Sequence, residues 1–132
     1  EVTQVNELLT QMESYEGLFI CSTNLVDDLD EASIRRFDFK IKLDYLKPDQ
    51  AWILFSQTIK DSGGVLSKGR NPWKVILSQL NNLTPGDFAL ALRQNRLNPD
   101  PLTYESLYES LKQESDFKQG GQQHGIGFNA IM

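Results

Sequence analysis

The sequence is poor in the residues from which many active sites are built. Its 132 residues include one cysteine, Cys21, and one histidine, His124. A lone thiol forms no internal disulfide, and one Cys with one His cannot complete a tetrahedral zinc site. Positive charge is also short: 13 Lys and Arg stand against 18 Asp and Glu, a net charge of −5. Between Asn71 and Leu97 only Lys74, Arg93 and Arg96 are basic. That is too little for strong attraction to a phosphate backbone, so a helix-turn-helix reader and a nucleic-acid partner are not expected. No uninterrupted apolar stretch is longer than Ala51–Phe55, whereas a spanning helix needs about 20 apolar residues. No membrane partner is expected. No basic-then-apolar leader is visible, and a reducing cytoplasm is the expected compartment. Phosphate-loop, nucleophile-elbow and dinucleotide-binding motifs are missing too. By itself the chain has no complete active site.

What is present divides at about residue 45. Val2, Val5, Leu8, Leu9 and Met12 form an apolar stripe of helical period that Gly17 stops. Leu18-Phe19-Ile20-Cys21 reads as a strand buried on both faces, ending in Ser22-Thr23-Asn24. After an acidic loop and a helical turn at 31–34 comes a strict alternation. Phe37, Phe39, Ile41 and Leu43 face one way, and Asp38, Lys40, Lys42 and Asp44 the other, the pattern of a half-exposed strand. The predicted fold class is therefore an α/β fragment, the last helix and two strands of a parallel sheet, followed by an all-α four-helix unit. The expected division is 1–45, 46–118 and a flexible tail over 119–132.

Helix signals are dense in the second part. Pro48 suits a first turn, with Ala51, Trp52, Phe55 and Ile59 facing inward until Gly63-Gly64. Asn71-Pro72 opens a second helix and Thr84-Pro85-Gly86-Asp87 a third, in the form of a capping box. Asp100-Pro101 opens a fourth, carrying Tyr104, Leu107, Tyr108 and Leu111. The aromatics Trp52, Trp73 and Tyr104 are expected in the core of this unit.

Polar residues at segment ends are the candidates for chemistry. Asn24 follows an apolar strand, where a side chain of an open sheet meets a ligand or an attacking water, or else simply closes a turn. Arg35 and Arg36 sit at a corner after an acidic loop. They could reach a phosphate, or pair with Asp28, Asp30 or Glu31 at the surface.

Leu18–Asn24 followed by Leu29-Asp30-Glu31-Ala32-Ser33-Ile34-Arg35-Arg36-Phe37-Asp38 resembles the sensor 1 strand and arginine-finger segment of the AAA+ ATPases. Glu1–Glu13 is similar to the helix that precedes sensor 1 in that family, and the helical unit to the family's four-helix lid. The resemblance covers about residues 1 to 118. It implies Asn24 as sensor 1, orienting the attacking water near the γ-phosphate of ATP. It implies Arg36 as the arginine finger, with Arg35 the alternative or a second finger, acting in trans on a neighbouring subunit. It also implies ATP and Mg2+ in the parent protein and a ring of identical copies, commonly a hexamer, that remodels a protein partner. The phosphate loop and Walker B acids are expected before Glu1, in a longer protein of which this chain is the C-terminal part. Without them the chain alone should not hydrolyse ATP. Gly86-Asp87-Phe88 is closer to relatives that lack a sensor 2 arginine. Gly86 and Asp87 are thus candidates to border the nucleotide, or a plain helix cap. The competing reading is a helical protein-interaction module without ATPase activity.

Overall fold

The computed structural model describes residues 2–121. Its elements are α1 (Val2–Glu13), a 3-10 turn (Val26–Asp28), α2 (Glu31–Arg35), α3 (Pro48–Asp61), α4 (Trp73–Leu77), α5 (Pro85–Asn95) and α6 (Tyr104–Gly121). The chain divides into two compact units between Lys42 and Leu43. None of the described helices is long and apolar enough to cross a membrane.

The expected α/β fragment is not found, since there is no β-strand among the described residues. Residues 18–21 and 38–43 lack regular structure. Leu18 and Ile20 are 84% and 80% exposed, and Phe39, Ile41 and Leu43 between 82% and 92%. The physical reason is that a strand satisfies its backbone polar groups only through a neighbour, and a lone pair of strands is marginal in water. The run and the alternation are real features of the sequence, but the described residues supply no sheet for them to join. α6 continues to Gly121, within the span 119–132 expected as a tail. His124 and the remaining residues lie outside those described.

In the first unit, α1 ends near Ser14, whose hydroxyl donates to Gln11 O at 3.0 Å. Leu9 and Ser33 are buried, and Met12, Phe19, Leu29, Ile34 and Phe37 half-buried. Asp30 caps α2, its carboxylate accepting the Ser33 N–H at 2.7 Å. A short helix needs such a cap because its first amides have no partner within the helix. The Ser33 hydroxyl, then the Ser33 N–H, and more weakly the Arg36 charge lower the Asp30 carboxyl below its ordinary 3.8.

In the second unit, Phe55, Ile59, Leu77, Leu83, Leu107 and Leu111 are essentially inaccessible and form its core with Ala51, Phe88, Ala91 and Leu102. Full burial of such a side chain is worth about 1.5–3 kcal/mol. One edge is aromatic: Trp52 stacks on Phe55, Phe55 on Tyr104 and Tyr104 on Trp73, with centroids 5.6, 6.0 and 6.5 Å apart, and Trp73 tilts against Tyr108 at 5.6 Å. These separations lie in the attractive range for ring pairs.

Local chemistry fixes the helix ends. Pro48 stands at the first turn of α3, where the Lys47 N–H donates to Gln50 Oε1 at 3.0 Å. The Asn71 side chain accepts the Trp73 N–H at 3.0 Å ahead of α4. The cap of α6 is Thr103, not Asp100: Thr103 Oγ1 accepts the Ser106 N–H at 3.1 Å, and Ser106 Oγ accepts the Thr103 N–H at 2.9 Å.

Two glycines let the chain leave α3. Gly63 has φ +88°, and a Cβ on Gly64 would lie 2.7 Å from Leu102 O and 2.8 Å from Ile59 Cγ2. Beside them Ser62 Oγ donates to Ile59 O at 2.7 Å and accepts the Leu102 N–H at 2.9 Å, joining the end of α3 to the approach to α6. A further backbone bond, Leu46 N–H to Leu83 O at 2.8 Å, ties the entry of α3 to the turn before α5.

Gly64→Ala should destabilise the second unit by about 1–3 kcal/mol through this overpacking, read as a lower denaturation midpoint. The Asp30 carboxyl should titrate below 3.8 by NMR. Because its folded value is depressed, its support of α2 is complete above the unfolded value and disappears as pH falls through the folded one.

Candidate functional site

Asn24 sits at an exposed bend after the apolar run. The turn is closed by its neighbour, since Thr23 Oγ1 accepts the Leu25 N–H at 3.0 Å. The Asn24 amide stands at the corner of that turn and is not needed to close it.

The two arginines differ in how they are held. Arg35 ends α2 and lies four residues from Glu31, with Nη2 to Oε1 at 2.6 Å and both side chains more than 70% exposed. Arg36 is the C-cap of α2, its N–H donating to Ser33 O and Ile34 O. Its guanidinium approaches Glu13 at 3.3 Å, with 38% of the side chain exposed. Exposed pairs of this kind contribute roughly 0–1 kcal/mol, so either guanidinium can leave its carboxylate for a stronger anion at little cost. The planar fork of arginine suits phosphate oxygens, which it meets two at a time. Among the described residues, Asn24 makes no hydrogen bond with either arginine.

Gly86 and Asp87 belong to the second unit. Gly86 is exposed in the first turn of α5, and a Cβ there would meet only Thr84 Oγ1, at 3.6 Å, an ordinary contact. Packing therefore does not demand a glycine. Asp87 is buried, and its Oδ2 accepts from the Thr84 N–H at 2.7 Å, from Thr84 Oγ1 at 3.1 Å and from Lys118 Nζ. Lys118 Nζ also donates to Asn82 O at 3.0 Å. One turn earlier on α6, buried Ser115 donates to Asn82 Oδ1 at 2.6 Å, and its carbonyl accepts from Asn82 Nδ2 at 3.1 Å. A polar seam thus runs between the start of α5 and the end of α6.

Asn82, Ser115 and Lys118 were not singled out by the sequence reading, although the signal was there. Leu107, Leu111, Ser115 and Lys118 follow one helical stripe, and polar residues prolonging an apolar stripe require partners. Arg93 and Arg96 are exposed.

Two clefts among the described residues are unlike a triphosphate site. One, of about 350 Å³, lies in the first unit and is lined by Leu8, Met12, Tyr15, Leu18, Phe19 and Ile20 beside Gln11. The other, of about 250 Å³, lies in the second unit and combines Asp61, Asp100 and Arg96 with neutral groups, so carboxylates outnumber the cation. No group of three or more His, Cys, Asp or Glu among the described residues could hold a metal ion.

No curated protein and no solved structure matches the chain. Residues 1–45 match the family model described as "ATPase family associated with various cellular activities (AAA)". That matched segment, about a third of the chain, is similar to the AAA ATPases and carries Asn24, Arg35 and Arg36.

Proposed function

We propose that this chain contributes a water-orienting amide, Asn24, and an arginine finger, Arg36, to ATP hydrolysis in a ring of AAA+ subunits, with Arg35 as a second cation beside the finger. The observation that carries the reading is the placing of Arg36 within the segment that matches the AAA family. It lies at the C-terminal end of a capped helix, with its guanidinium held by one exposed carboxylate 3.3 Å away. An arginine committed to stability would be buried or multiply bonded; this one is positioned by backbone and released cheaply.

As ATP is hydrolysed, negative charge develops on the oxygens of the transferred phosphoryl group. Arg36 would meet it in trans, giving up Glu13 for two phosphate oxygens. The exposed Asn24 amide would hold the attacking water by hydrogen bonds. In the second unit the backbone at Gly86 would border the nucleotide, a role supported by a glycine that packing does not require. Mg2+ would be held by groups outside the described residues, and the chemistry assigned to this chain is that of an amide and a guanidinium. Work on a protein partner, driven by the ring, completes the proposal.

The test joins this chain to a phosphate-loop segment of the family. Arg36→Ala should lower kcat about 10³-fold or more with ring assembly intact, and Arg36→Lys should recover little, since a point charge does not reproduce the fork. Full activity of Arg36→Ala in an assembled ring would remove the finger and favour a helical interaction module. Gly86→Ala should leave stability unchanged or raise it by up to about 1 kcal/mol, by helix propensity, while weakening nucleotide affinity in a binding titration.

A further inference from the structure

Asp87 and Lys118 are 31 residues apart in sequence, yet their charges meet in the seam between α5 and α6. The Asp87 side chain is 7% exposed and that of Lys118 28%. A carboxylate so far from water needs a counter-charge, and removing one partner of such a pair leaves an uncompensated charge inside. A helix cap alone would not require this pair, because the Thr84 N–H and hydroxyl already bond Asp87 Oδ2. Lys118 adds a link between helices. Its Nζ holds Asp87 Oδ2 at one end of the 82–87 turn and Asn82 O at the other. Ser115 fixes the Asn82 side chain through two further bonds. One ammonium thus brackets the whole entry into α5.

We propose that Lys118 is a positioning residue that acts through Asp87 to fix where α5 begins, and so sets how the Gly86 backbone is presented. Neutralising Lys118 leaves Asp87 Oδ2 as a buried charge with only two neutral donors. The carboxylate then turns toward solvent and the Thr84 N–H loses its acceptor. The consequence for nucleotide binding rests on the ATPase reading: Lys118 would tune affinity for ATP without touching it.

Amide hydrogen exchange on the 132-residue chain tests the positioning without any nucleotide. In Lys118→Met the amides of Thr84 and Asp87 should exchange at least 10-fold faster, after correction for the change at Leu107 and Leu111. Lys118→Arg should restore most of the protection. On an Asp87→Asn background, Lys118→Met should add less than a twofold change. An equal rise at every core amide would reduce Lys118 to general scaffolding and overturn the proposal. So would an undiminished effect on the Asp87→Asn background, which would place its action on Asn82 alone. Should Lys118→Met not fold, the double variant decides: its folding supports the proposal, because removing the buried charge removes the need for a partner, and its failure to fold overturns it. In the chain joined to a phosphate-loop segment, Lys118→Met should raise KM for ATP several-fold with kcat within twofold. A lower kcat at unchanged KM would overturn the link to nucleotide. Absence of hydrolysis in the unsubstituted joined protein would count against the ATPase reading and leave the exchange result standing.

Discussion

A carboxylate removed from water dominates the helical unit. Asp87 is buried at the first turn of α5, where amide hydrogens point out of the helix and a negative charge is favoured. That preference explains why an acid stands there, but not why it stays inside, since a buried charge costs several kcal/mol unless it is compensated. Compensation comes from α6, and it determines much else. Lys118 must reach inward at the end of that helix, and Ser115 one turn earlier must be small and polar to receive Asn82. α6 must also be long enough to bring both residues past Leu107 and Leu111 to the seam. No buried polar side-chain atom among the described residues lacks a partner, as expected where an unsatisfied group would be expensive.

The opposite end of the unit is organised by shape. Gly63 and Gly64 allow the chain to turn out of α3 against the Leu102 carbonyl, and Ser62 uses both its donor and its acceptor in the same corner. The aromatic edge lies nearby, and the Tyr104 hydroxyl accepts the Ser67 N–H at 2.9 Å, fastening the loop after α3 to the first turn of α6. Polar satisfaction at one end and close packing at the other add to the apolar core, in which Leu83 and Phe88 flank the α5 start.

How much of this was legible in the sequence depended on whether the signal was local. Helix starts at Pro48, Asn71 and Thr84 follow from residues within four positions of one another, and they were readable. Thr103 displaced Asp100-Pro101 as the cap of α6 because Ser106 answers it three residues later, a weaker motif than the proline next to it. The strands failed for the opposite reason. Apolar patterning at 18–21 and 37–43 states what a segment would bury if a sheet were offered, and a sheet is a property of other segments. In the candidate site, the residue types and order at Asn24, Arg35 and Arg36 were plain. The Glu13 partner of Arg36 and the Lys118 partner of Asp87 come from distant positions, and no local rule connects them.

The exposed alternation from Phe37 to Asp44 has a colloidal consequence. Phe39, Ile41 and Leu43 are the kind of apolar, β-prone residues that stack between chains when left in water. They are interleaved with Asp38, Lys40, Lys42 and Asp44, charges of both signs spaced so that every second residue resists a dry interface. The same two-residue period that reads as half a sheet thus sets a charged residue beside each exposed apolar one, the kind of neighbour that disfavours dry stacking between chains.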